Sequence, residues 1–231
     1  MFKFVQLPEL DFDMKAVTTD AGRVYVTPSG FKYPSVTTIL SPYGKKALFE
    51  WRQRVGEEEA KRISSQASRR GTALHTVCEK YLLNEMTSTK LASLLPTTKE
   101  LFFKIKPYLD LSIGRILALE QALYSDKLQI AGRVDCIAEW NGKLSIIDFK
   151  SSTNQKDKEN IGNYFMQCTA YAHMFRELTK IPIHQIVVLI GTENGPGQVF
   201  IEEPVNYVAD LQQYIAKYYQ KNTVQLNKIT L

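Results

Sequence analysis

The stretch Val134–Ser152, "VDCIAEWNGKLSIIDFKSS", decides how the whole chain is read. Asn141-Gly142 lies between two strand-like runs, and Asn-Gly is a strong hairpin signal because a type I′ turn needs positive φ at both central positions. A two-residue loop fixes the register. Trp140 then pairs with Lys143, Ile137 with Ile146, Asp135 with Asp148 and Arg133 with Lys150. Directly opposed residues share a face, with Cβ atoms about 5 Å apart. The expectation is therefore two aspartates side by side, next to an Ile–Ile pair, unless a β-bulge shifts either strand by one residue. Apolar residues occupy both faces of the hairpin: Ile137, Leu144 and Ile146 on one, Val134, Cys136, Ile147 and Phe149 on the other. A sheet patterned this way is covered on both sides.

Two like charges in such a place must share a proton, find cations or bind a metal. Two readings stay open. In the first, Arg133 and Lys150 neutralise the acids diagonally in an ionic quartet. In the second, Asp135, Asp148 and a main-chain carbonyl such as that of Phe149 hold Mg²⁺, a hard ion that takes one or two carboxylates plus phosphate oxygens and waters. Lys150 beside such an ion would orient or deprotonate a water and stabilise charge developing on phosphorus.

Working outward, residues 113–151 carry strand periodicity in "ILALEQALYSD", "LQIAGRVDCIAEW" and "KLSIIDFKS",. "IPIHQIVVLIG" and "GQVFIEEP" add two strands further on, and "RVYVTPSGFKY" (23–33) reads as a short hairpin around Pro28-Ser29-Gly30,. Helical periodicity covers 45–112, broken at Pro96, at Pro107 and in the loop "NEMTST", and returns at 160–178 and 205–221,. The polar stretch 151–160 reads as a mobile connection. The predicted fold class is α/β: a central mixed β-sheet flanked by helices, in a single domain over 1–231. Within it, 45–112 form an N-terminal helical region, 113–203 the core and 205–231 a C-terminal helix and tail.

Bulk properties narrow the class. A chain of 231 residues with 44% hydrophobic and 23% charged residues buries a core without staples,. The three cysteines, Cys78, Cys136 and Cys168, form no CxxC pair, which points to buried reduced thiols rather than a disulfide framework, zinc site or iron–sulfur cluster,. No apolar run reaches the ~18 residues of a membrane span. The N-terminus lacks a secretory or transit pattern, so the expected location is the cytoplasm, with no membrane partner. The net charge of +5 is mild. Between Lys45 and Arg70 eight cations, including Arg69 and Arg70, stand against four glutamates: a solvated helix surface on one reading, a phosphate-facing one on the other,.

Two helices supply further polar candidates. In "GTALHTVCEKYLL" an apolar stripe runs through Leu74, Val77, Cys78, Tyr81 and Leu82, and His75 borders it. His75 is either structural or a ligand reaching towards the sheet. In "NYFMQCTAYAHMF", Gln167 and Tyr171 stand four apart on the edge of the apolar face, either as a core-edge pair or as a pair aimed at a substrate,. Glu120 shares a strand face with Ala118 and Ala122, as an exposed residue or as a further carboxylate of the ion site.

These motifs, in this order, resemble the PD-(D/E)xK nuclease superfamily and its RecB-type exonuclease branch. The segments are "GTALH" with His75, "ALEQALYSDKLQIAGRVD" with Glu120, Gly132 and Asp135, "IIDFKSS" with Asp148 and Lys150, and "QCTAYA" with Gln167 and Tyr171. "YPSVTTIL", with Ser35 and Thr37, is similar to the opening segment of mitochondrial genome maintenance exonucleases and related phage exonucleases. The resemblance covers about residues 33–203. It implies a restriction-endonuclease-like core and Mg²⁺- or Mn²⁺-dependent phosphodiester hydrolysis. The implied metal ligands are His75, Asp135, Asp148 and the Phe149 carbonyl; Lys150, Gln167, Tyr171 and Glu120 join Asp135 and Asp148 in the catalytic set. The implied substrate is single-stranded DNA led through an arch at about 45–71, touched by Ser35, Thr37, Arg69, Arg70, Arg133 and Ser151. No helicase or nucleotide-binding motif is present, so a stand-alone nuclease is expected, and a start almost at the core without a transit segment favours a phage or bacterial origin. A structure-specific endonuclease and a DNA-binding module without chemistry are the alternatives.

Overall fold

A computed structural model describes residues 1–229, with side chains described through Asn222. In chain order the elements are β1 (Lys3–Phe4), β2 (Lys15–Thr19), β3 (Gly22–Val26), β4 (Lys32–Pro34), α1 (Val36–Ile39), α2 (Lys45–Val55), α3 (Glu57–Leu82), α4 (Ser88–Ala92) and α5 (Pro96–Ser112). There follow β5 (Ile113–Ser125), β6 (Ile130–Trp140), β7 (Lys143–Asn154), α6 (Gly162–Thr179), β8 (Gln185–Asn194), β9 (Gln198–Glu202) and α7 (Val208–Ile229). The last two residues of the expected C-terminal tail lie outside the described residues.

A six-stranded sheet runs in the order β1-β5-β6-β7-β8-β9. The β1–β5 and β7–β8 pairs are parallel and the others antiparallel, so the sheet is mixed, as expected. Helices cover both faces. Val134, Ile137, Ile146, Val188 and Ile190 pack against α6. Cys136, Ile147, Phe149, Val187 and Leu189 pack against α3 and α5. This two-sided burial explains why the central strands read as near-continuous apolar runs. Among the described residues, no helix is long and apolar enough to cross a membrane.

The Asn141-Gly142 turn sets the register as the sequence predicts: Trp140 faces Lys143 and Ile137 faces Ile146. Both turn residues have positive φ, 51° and 78°. The 23–33 hairpin also forms, with Tyr25 opposite Tyr33, but within a small three-stranded sheet whose first strand, β2, is wholly exposed. An exposed strand has no alternating apolar face to reveal it in the sequence.

Three expectations change. Pro96 does not break a helix but opens α5 in its first turn, where a missing N–H costs nothing,. Pro107 sits inside α5, at an exposed turn one turn beyond the exposed Phe103. The stretch 151–160 is not a free connection: β7 continues to Asn154 by parallel pairing with β8, and a 3-10 turn forms at Lys158–Asn160.

Candidate active site

The hairpin ladder stops just short of its two aspartates. Pairing between β6 and β7 runs from Trp140–Lys143 to Cys136–Ile147 and goes no further. On the other side of β6, Leu119 faces Cys136 and Gln121 faces Val134, while Asp135 is skipped. Val134 and Ile137 both belong to the core packed against α6, so strict alternation fails between them, although β5 and β6 keep their register across the skipped Glu120 and Asp135. The expected register thus holds through Cys136–Ile147 and no ladder pair forms at Asp135 and Asp148, which still lie close enough for Asp135 to act on the charge of Asp148. Instead the Asp135 carboxylate fills the gap between the parting strands. Its Oδ2 accepts the Phe149 N–H at 2.8 Å, and its Oδ1 lies 3.4 Å from Nδ1 of His75 on α3. Phe149 thus engages Asp135 through its N–H.

Glu120 completes this group. It has φ of 46°, a left-handed conformation that costs a non-glycine residue about 1 kcal/mol,. The break in β5 lies opposite the break in β6, and ligand-type atoms of His75, Glu120 and Asp135 lie within 4.8 Å of one another. The converging trio is thus one imidazole and two carboxylates, with Glu120 as the further carboxylate beside His75 and Asp135.

Asp148 stands beside the trio, held from the α6 side. It is 1% exposed. Its Oδ1 accepts from Nε2 of Gln167 at 3.0 Å, and its Oδ2 is paired with the Lys150 ammonium. Nζ of Lys150 lies 5.2 Å from the ring centre of Tyr164, a residue the sequence reading missed. The signal was present: Tyr164, Gln167 and Tyr171 recur at helical spacing on α6,. Tyr171 is buried against Gly132, where a Cβ would come within 2.7 Å of the ring; its hydroxyl is 3.5 Å from Gln167 Nε2.

Arg133 does not join an ionic quartet with the aspartates. It pairs with Asp13 at 2.7 Å and donates to the Glu120 carbonyl. Its reach to Asp13, 120 residues away in sequence, has no local signature.

The electrostatics follow from this packing. Burial raises the Glu120 carboxyl to about 7, with Asp135 adding to the rise and His75 opposing it. Burial also raises Asp148, to about 6, against the pull of Lys150. For Asp135 burial is outweighed by the His75 hydrogen bond and charge, by Lys150 and by the Phe149 N–H, so its carboxyl stays below the usual range. Burial works against the His75 cation, but Asp135 outweighs it and raises the imidazole. Burial likewise opposes the Lys150 ammonium, yet Asp148 and Asp135 raise it, so it keeps its proton at neutral pH. The donor set, one imidazole and two carboxylates, can hold a divalent metal ion,.

The residues expected to touch DNA fall into two groups. Ser35 is buried and caps α1, its Oγ accepting the Thr38 N–H at 3.0 Å and lying 2.9 Å from the hydroxyl of exposed Thr37. Arg70 is spent within the fold, on Glu193 at 2.8 Å, Thr153 at 3.0 Å and Ser151 at 3.5 Å. Arg69 is exposed, as are Lys45, Lys46, Arg52, Arg54 and Lys61, and among the described residues no ion pair engages them. Helix α2 buries none of its residues and exposes Leu48 and Phe49. The three cysteines are buried and free, as expected.

A family model described as the PD-(D/E)XK nuclease superfamily matches residues 91–227. Human mitochondrial genome maintenance exonuclease 1 is 30% identical over 149 residues, 60% of this chain and 42% of that protein. The Xenopus tropicalis protein of the same name is 28% identical over 176 residues, 71% of this chain and 49% of that protein. The matched part is thus about half the length of these curated relatives. A solved structure from Eubacterium rectale superposes loosely, with a TM-score of 0.46 at 10% identity over 66% of this chain and 65% of that one.

Proposed function

The chain belongs to the PD-(D/E)XK nuclease superfamily, and from that premise we propose that it is a divalent-metal-dependent exonuclease acting on single-stranded DNA. The observation that carries the reading is the convergence of His75, Glu120 and Asp135 beside the buried Asp148–Lys150 pair. His75, Glu120 and Asp135 would hold Mg²⁺ or Mn²⁺, with Asp148 as the adjacent carboxylate. When bound, such an ion neutralises a phosphodiester and acidifies a water.

The chain's own groups divide the remaining work. Lys150, paired with Asp148, presents its Nζ to the charge developing on phosphorus and to the attacking water,. Gln167 fixes Asp148 through Oδ1 and leaves Oδ2 to the lysine. Tyr164 presents its ring to the ammonium and fixes where Lys150 points,. The exposed cations of α2 and of the first half of α3 offer phosphates a path to this centre, the arch of the proposal. That related proteins are exonucleases by name supports cleavage from ends.

The test is degradation of end-labelled linear single-stranded DNA with and without EDTA, beside a covalently closed single-stranded circle. The proposal expects loss of cleavage on chelation, recovery with Mn²⁺ and a resistant circle. Cleavage that survives chelation removes the metal from the reading, and a circle cut as fast as the linear strand makes the protein an endonuclease.

A further inference from the structure

Something must hold Glu120 in its left-handed turn. The residue lies in the middle of β5, and the ladder is regular on both sides of it, at Leu119–Cys136 and Gln121–Val134. The turned peptide takes the Glu120 carbonyl oxygen out of the ladder, where it accepts a hydrogen bond from Nη1 of Arg133. Nη2 of the same guanidinium donates to Oδ1 of Asp13 at 2.7 Å. Asp13 Oδ1 also accepts the Met14 N–H at 2.8 Å, and the neighbouring Gln121 donates through Nε2 to the Phe12 carbonyl at 3.0 Å. The segment 12–14 is thereby tied down on both sides of the distorted residue.

The geometry points to Arg133 as a positioning residue for the ion site: it holds the Glu120 peptide so that the Glu120 carboxylate stays beside His75 and Asp135, and Asp13 fixes Arg133 in turn. This inference rests on the metal-site reading above. A planar fork with fixed donor directions serves two acceptors at once, which a lysine ammonium does less well. The Arg133 side chain is 37% exposed, so this part of the site is set by a surface latch and not by core packing. The consequence is that a short N-terminal segment tunes an ion site built otherwise from α3, β5 and β6.

Mn²⁺ binding to the full chain without DNA, followed by titration calorimetry and by the Mn²⁺ paramagnetic resonance signal, tests this. Arg133→Met is expected to bind Mn²⁺ about 10-fold more weakly, the usual effect of removing a group that orients a ligand. Arg133→Lys falls between it and the wild type, and Asp13→Ala loses less than Arg133→Met. In a Glu120→Ala background, adding Arg133→Met is expected to cost nothing more, which a merely structural role would not produce. Wild-type affinity in Arg133→Met overturns the inference while leaving the metal site standing, and so does an equal loss in both backgrounds. A wild-type protein that binds no Mn²⁺ overturns the metal-site reading and this inference together. Should Arg133→Met fail to fold, Asp13→Ala carries the test, because the Asp13 side chain is 78% exposed; undiminished affinity there overturns the inference.

Discussion

Replacing Lys150 by Met should unfold the protein more easily as well as inactivate it, and the two effects can be separated. The methionine keeps most of the volume of the lysine stem and removes the ammonium. Asp148 is then left with 1% exposure and with Gln167 as its hydrogen-bond partner, through Oδ1 alone. Its Oδ2 loses the cation that now meets it. Removing one partner of a buried pair costs about 3–5 kcal/mol, because the remaining carboxylate must either stay charged and uncompensated or take up a proton to be buried. The side chains are 18% and 2% exposed, so water does little to screen the loss. In a chain of this size 1 kcal/mol moves the melting temperature by about 2–4 °C, so the lower figure corresponds to a fall of about 6–12 °C. The assay is thermal and urea unfolding in EDTA, which removes any bound ion from the comparison. The double variant Asp148→Asn/Lys150→Met, with both charges gone, should recover at least half of the lost stability while remaining inactive. A Lys150→Met protein that melts within about 2 °C of the wild type refutes the reasoning, because Asp148 would then have found another partner or water. Equal stability of the single and double variants refutes it too.

The other predictions concern close packing, a cap and the basic surface. Gly132→Ala places a Cβ 2.7 Å from the Tyr171 ring, so it should cost about 1–3 kcal/mol in urea unfolding,. Ser35→Ala removes the α1 cap and should cost about 1 kcal/mol by the same measurement, with DNA binding unchanged,. Arg69→Ala should lower the slope of log binding constant against log salt by about 0.7 on single-stranded DNA. Arg70→Ala should instead loosen the contact between α3 and the ends of β7 and β8, read as faster amide exchange there, with less effect on the salt slope.

Local pattern carries far in this chain, and it fails where two segments must meet. The Asn141-Gly142 turn fixes the hairpin register because turn chemistry and a two-residue loop are local facts. The β5 to β9 strands and the α3, α5, α6 and α7 helices follow from periodicity for the same reason. Burial of Asp148 and its place beside Lys150 also follow, since residues two apart on a strand share a face,. The partner of Arg133, the role of Arg70 and the capping by buried Ser35 do not, because each depends on what packs against it from elsewhere. Strand β2 stays hidden because it buries no face.

By itself the sequence determined the fold class, the hairpin and the identity of the polar residues gathered near its end. Spacing along one chain encodes the period of each element and which residues share a side. Only the tertiary structure decided how those residues are divided. The β6–β7 ladder ends before Asp135, Glu120 turns left-handed, and its carboxylate comes to His75 and Asp135 while Asp148 goes to Gln167 and Lys150. Such a local distortion is a compromise between neighbouring strands and the layers packed on them, and no single strand's pattern records it.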